Sequence, residues 1–131
     1  DSLREKKVMS LKTRFGNLGN ILDFDNLTED NIYVLDSPIL TNSQFKKFKK
    51  FFSKKIKVID CTFDIKKSLK ERIELIREEA ETAVREGSTC LILSDKNISN
   101  QKASIPMMLS VGAVHSYLFE HFLRVYCSLN V

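Results

Sequence analysis

The sequence predicts an α/β fold in which four parallel strands alternate with three helices, as half a barrel or a small open sheet covered on both faces. Three observations predict it. From Ile32 onward, short apolar runs alternate with longer stretches of helical periodicity. Those longer stretches open on recognisable start signals: Thr41 with Gln44, Ser68 with Glu71, and Pro106. The runs "VIDCTF" (58–63) and "TCLILS" (89–94) are nearly continuous in apolar or small residues, which suits strands buried on both faces. Joining parallel neighbours requires a long, right-handed crossover, and the helical intervals supply it.

Residues 1–31 are polar and turn-rich, and are expected to form a lead-in segment packed on a single domain, 32–131. A short helix is possible around Arg4 to Lys12, whereas "RFGNLGN" (14–20) and "DFDNLTEDN" (23–31) read as loop. The first strand is Ile32 to Leu35. The first helix follows from Thr41 to about Lys55, with Phe45, Phe48 and Phe52 along one face and Lys46, Lys47, Lys50 and Lys54 around the other. The second strand is Lys57 to Thr62. The second helix repeats Leu69, Ile73, Ile76, Ala80 and Ala83 and stops at Gly87, which can adopt the left-handed closing conformation. Thr89 to Ser94 is the third strand. The third helix has Pro106 as its first residue and runs to about His121; Gly112 and Ala113 leave its backbone bare, which suits close approach to the sheet. Arg124 to Leu129 is the fourth strand.

At 131 residues and 43% hydrophobic, the chain can bury roughly two-thirds of its unfolded surface. Its three cysteines, Cys61, Cys90 and Cys127, each sit in an apolar run and cannot all pair internally, so reduced core thiols are expected. The net charge of +4 comes mainly from the lysine-rich helix. That helix has two readings: a surface helix with wet lysines, or an autonomous basic module binding anionic partners through residues 41–55. Nucleic-acid motifs are absent from the sequence, and no apolar leader follows "DSLREKK", so neither a nucleic acid nor a membrane is an expected partner and a cytoplasmic location is expected.

In parallel α/β folds ligands gather at the carboxyl ends of strands, which directs attention to Asp36, Ser37, Phe63, Asp64, Ser94, Asp95 and Lys96. An acid, a cation and several hydroxyls on one rim could move protons or bind phosphate. Asp and Ser are also the ordinary residues of strand-to-helix turns. The sequence contains no G-x-G-x-x-G, G-x-x-x-x-G-K-[ST], H-E-x-x-H or G-x-S-x-G. His115 and His121, six apart on one helix, cannot share a metal as an i, i+4 pair does. No catalytic, cofactor-binding or metal-binding residue is therefore predicted in this segment.

"LDSPILTNSQF" (35–45), "DCTFD" (60–64), "AVREG" (83–87) and "LILSDKNISNQKASIPMMLSVGAVHSYL" (91–118), in that order, resemble the central domain of the glutamate synthase large subunit, and "LREKKVMSL" (3–11) is similar to the stretch leading into it. The resemblance implies a large polypeptide in which a glutaminase domain releases ammonia from glutamine and a downstream domain with FMN and an iron–sulfur cluster uses it to convert 2-oxoglutarate to glutamate. The central domain lies between these two partners, carries no cofactor, holds them in register and contributes to the ammonia passage. Ser37, Pro38, Asp60, Thr62, Ser94, Asp95, Pro106, Gly112 and His115 match the family's pattern; with Asp64 they are interdomain or structural candidates. Lys96 is another, although it stands where the family commonly has arginine, and Ser116 replaces a frequent second histidine. On this reading Asp95 fixes its loop through backbone amides and is not an acid catalyst. A chain end just after a predicted strand is expected of an excised piece.

Overall fold

A computed structural model describes residue 3, residues 9–17, residue 22 and residues 32–131. Its elements are β1 Thr13–Gly16, β2 Ile32–Leu35, α1 Asn42–Phe52, β3 Ile56–Asp60, β4 Thr62–Asp64, α2 Leu69–Arg85, β5 Cys90–Ser94, β6 Lys102–Ser104, α3 Met107–Glu120 and β7 Ser128–Asn130. The fold is α/β, with helices α1, α2 and α3 and an open parallel sheet of order β3-β5-β7 among the described residues.

The helix limits follow from capping chemistry. At α1 both halves of the capping box close: Gln44 N–H donates to Thr41 Oγ1 at 3.4 Å, and Thr41 N–H donates to Gln44 Oε1 at 2.9 Å. The helix then tightens into a 3₁₀ turn, Ser53–Lys55. Ser68 Oγ accepts from Glu71 N–H at the start of α2. Its end is a Schellman motif: Gly87 takes φ +94°, with Gly87 N–H donating to Val84 O at 3.0 Å and Ser88 N–H to Ala83 O at 2.9 Å. Pro106 sits one position earlier than expected. Its ψ of 124° keeps it outside α3 as the N-cap, and its carbonyl accepts the Leu109 and Ser110 amides.

Four differences from the sequence reading concern strands. The first predicted strand exists, but β2 pairs antiparallel with β1 and so stands outside the parallel sheet β3-β5-β7, which has three strands among the described residues. Strand β1 occupies residues read as loop. A four-residue run such as "IYVL" cannot announce its partner, and its half-wet burial, with Val34 exposed and Leu35 buried, is that of an antiparallel strand. The predicted strand 57–62 divides at Cys61, and β4 turns away to pair antiparallel with β6, a short polar strand without a hydrophobic signature. Arg124–Tyr126 forms a 3₁₀ turn and the last strand begins only at Ser128. Of the possible helix at Arg4–Lys12, residues 9–12 are irregular and residues 4–8 lie outside the described residues, as does the loop 23–31.

The chain divides into two compact units, Asp1–Phe51 and Phe52–Val131. In the first, Phe48 of α1 is fully buried, edge-on to Phe15 at 5.2 Å and to Tyr33 at 5.5 Å. The lysines of α1 are exposed, as the amphipathic pattern required. In the second, Ile59, Leu91 and Leu93 of the sheet meet Ile76, Ala80 and Ala83 of α2 and Val114 and Leu118 of α3. Each fully buried Leu or Ile contributes roughly 1.5–3 kcal/mol. The central strand β5 buries residues on both faces, Cys90 and Ile92 on one and Leu91 and Leu93 on the other. All three cysteines are buried and free. Gly112 corrects an expectation: it is exposed, and a Cβ there would meet nothing within 4 Å, so its bareness does not serve helix-to-sheet packing. The buried small residue is its neighbour Ala113.

Candidate functional site

The chemistry-bearing residues of the second unit collect where the parallel strands end. Strand β3 delivers Asp60, and the chain then breaks from the sheet. Cys61 N–H donates to Ser94 O at 2.7 Å, while Cys61 O accepts from Ile105 N–H at 2.8 Å, so one residue stitches β3, β5 and the approach to α3. The departure exposes the Asp60 carboxylate to donors. Thr62 N–H and Thr62 Oγ1 donate to Asp60 Oδ1 at 3.0 and 2.8 Å, and Asn97 Nδ2 donates to Oδ2 at 3.0 Å. Partial burial pushes this carboxyl upward, but the bonds from Asn97 and Thr62, with Lys102 nearby, outweigh burial and hold it below the usual aspartate value.

Arg72 of α2 completes the corner. Its Nε donates to Thr62 O at 3.0 Å and its Nη2 to Asp60 O, so one planar guanidinium clamps both sides of the break. Asp64 Oδ1 accepts Lys66 N–H at 2.8 Å and caps the turn into α2. A shallow cleft of about 390 Å³ lies here, with Asp60, Asp64 and Glu71 interspersed with Lys67, Arg72 and Lys102.

On the β5 side, Ser94 Oγ accepts Lys96 N–H at 3.3 Å. The Asp95 carboxylate accepts from the Ser104 hydroxyl at 3.3 Å, and its main-chain carbonyl accepts Ile98 N–H. The expectation that the Asp95 side chain fixes the loop through backbone amides is thus corrected. The shorter Ser94 side chain holds the amide, and Asp95 reaches across to β6. Lys96 is exposed. The structure brings Asp60, Thr62, Asp64, Ser94 and Asp95 to neighbouring strand ends and loops. Ser37 and Pro38 lie in the first unit, where Ser37 Oγ accepts Ile39 N–H. His115 is elsewhere on α3: Arg124 Nε donates to its Nδ1 at 3.0 Å, while Arg124 Nη1 donates to Cys127 O at 2.7 Å, tying α3 to the approach of β7.

Arg72, Asn97, Ser104 and Lys102 were not singled out from the sequence. Arg72 is one of several charges in "ERIELIREEA", and nothing in its spacing distinguishes a clamp from a wet surface residue.

The corner's polar groups are turned on one another. A carboxylate held below its ordinary value and saturated with donors is poorly suited to take a proton near neutrality. Among the described residues, no three potential ligands are placed to hold a metal ion, and Cys61, Cys90 and Cys127 are free and buried. Burial, and then the neighbouring Cys127, push the Cys90 thiol up to about 12. Among the described residues, no helix is long and apolar enough to cross a membrane.

Fold and corner define a small open α/β domain whose strand ends are locked by a polar clamp. Over residues 1–131 the sequence matches the family described as glutamate synthase central domain. The chain therefore belongs to that family. It is 45% identical, over its whole length, to the glutamate synthase [NADPH] large chain of Azospirillum brasilense, of which it covers 9%. It is also 38% identical over 98% of its length to ferredoxin-dependent glutamate synthase 1 of Arabidopsis thaliana, covering 8% of that protein. A third relative, glutamate synthase [NADH] of Schizosaccharomyces pombe, is 34% identical over 95% of the chain and 6% of its own length. The chain thus spans less than a tenth of the length of these curated relatives.

Proposed function

We propose that this chain is the connecting domain of a glutamate synthase polypeptide, holding a glutaminase domain and an FMN-containing synthase domain in register and forming part of the wall of the ammonia passage between them. The reading rests on family membership across all 131 residues and on one structural observation. The strand-end corner, where a parallel α/β fold would place chemistry, spends Asp60 and Arg72 on fixing its own backbone. The flavin and iron–sulfur cluster belong to other domains of the parent, which works in the cytoplasm. Ser37, Pro38, Asp60, Thr62, Asp64, Ser94, Asp95, Lys96, Pro106, Gly112 and His115 are, on this reading, structural or interdomain residues.

The test is Asp95→Asn in the full-length polypeptide. Both half-reactions, glutamine hydrolysis and flavin-dependent reduction, are expected to retain their individual rates. The ratio of glutamine hydrolysed to glutamate formed is expected to rise above one if the loop is displaced. Abolition of either half-reaction in a folded, coupled enzyme would remove the proposal.

A further inference from the structure

We infer that the outer face of α3, together with the groove it forms with α2, is the seat of another domain of the same polypeptide, whose backbone passes over Gly112. Helix α3, "MMLSVGAVHSYLFE", carries a single full charge, Glu120 at its last position, and is apolar on nearly every side. A helix hydrophobic all round belongs in an interior. One face does pack inward through Ser110, Ala113, Val114 and Leu118. The opposite face leaves Met108 91%, Leu109 43% and Phe119 68% exposed. Between them lies a cleft of about 710 Å³, floored by Leu69 and Ile73 of α2 and by Leu109, Gly112 and Ala113 of α3.

Gly112 is the sharpest observation. Mid-helix glycine lowers the folding equilibrium by roughly two- to fivefold relative to alanine. Nothing among the described residues requires the absence of a side chain, since a Cβ there would meet no atom within 4 Å. The space is open on the groove side, so an approach from outside accounts for the glycine. The occupant is a domain of the parent because the chain is less than a tenth of the length of its relatives, and an apolar face of this kind needs a partner that is always present. The groove's chemistry asks for a segment with aliphatic or aromatic side chains seated on Ile73 and Leu109, and with polar flanks near Lys70 and Glu74.

This inference rests on the connecting-domain reading, and the experiment separates the two. In the full-length polypeptide a photocrosslinking phenylalanine analogue replaces Phe119 or, separately, Met108, and crosslinked peptides are mapped by mass spectrometry. Crosslinks to another domain of the same chain are expected. Gly112→Trp, which fills the groove, is expected to cut their yield roughly tenfold, equivalent to about 1.4 kcal/mol of docking, while Gly112→Ala costs less. Crosslinks only to water, only within residues 1–131, or only to a second copy overturn the groove proposal. Crosslinks that map as expected, with an unchanged ratio of glutamine hydrolysed to glutamate formed in Gly112→Trp, leave the docking surface standing and remove the coupling role instead.

Discussion

Replacing Arg72 by methionine isolates what the corner clamp is worth. The change keeps most of the aliphatic stem and removes two charge-assisted bonds, Nε to Thr62 O at 3.0 Å and Nη2 to Asp60 O. Bonds from a charged donor contribute roughly 1.5–3 kcal/mol each when buried. These are only partly buried, so the pair is expected at the lower end, about 2–3 kcal/mol together. With a urea slope of about 1.5 kcal/mol per molar for a chain of this size, the unfolding midpoint should fall by roughly 1.3–2 M. Arg72→Lys should recover only part of the loss, because one ammonium cannot reach two carbonyls in a fixed fork. A midpoint shift for Arg72→Met below about 0.3 M, the size expected of an ordinary surface substitution, would refute the view that this guanidinium holds the β3–β4 break together.

Ser110 is fully buried, and its hydroxyl completes no good hydrogen bond among the described residues, although the Cys61 thiol lies against it. Ser110→Ala should therefore stabilise by about 1 kcal/mol, read as a higher urea midpoint with unchanged slope. Asp60 has a depressed folded value, so its contribution is present above its unfolded value, about pH 4, and is lost as pH falls through the lower folded value. The midpoint difference between wild type and Asp60→Asn should accordingly be constant from neutrality to about pH 5 and shrink in stronger acid; a constant difference down to about pH 2 would sink the assignment. Two helix ends should respond with opposite signs: Gly87→Ala at φ +94° should cost about 1 kcal/mol, whereas Phe122→Gly at φ +58°, where the ring is 86% exposed, should gain about 0.5–1 kcal/mol in thermal or urea unfolding.

The helices were legible because their limits are written locally. Thr41 with Gln44, Ser68 with Glu71, and Gly87 are decided by bonds spanning three to five residues, and the structure makes those bonds. Strands are decided by partners distant in sequence. "IYVL" could join either a parallel sheet or an antiparallel ribbon with "TRFG", and only tertiary pairing chooses. "KAS" contains no apolar alternation, so β6 becomes visible only once β4 lies beside it. Pro106 shows the limit of boundary reading even where the signal is strong: proline suits both the first helical residue and the position before it, and ψ alone separates them.

The corner was half legible for the same reason. Its acidic and hydroxyl members, Asp60, Thr62, Asp64, Ser94 and Asp95, stand at strand ends and could be found by knowing where strands stop. Arg72 and Asn97 reach them from 12 and 37 residues away, a separation no spacing rule covers. The distribution bears on function as well. At the β3 end the donors of Thr62, Asn97 and Arg72 terminate on the chain's own carbonyls and carboxylate. The surface left unsatisfied is apolar instead, on the far side of α3, where Met108, Gly112 and Phe119 face outward. On the connecting-domain reading proposed above, that outward apolar face is where another part of the polypeptide rests.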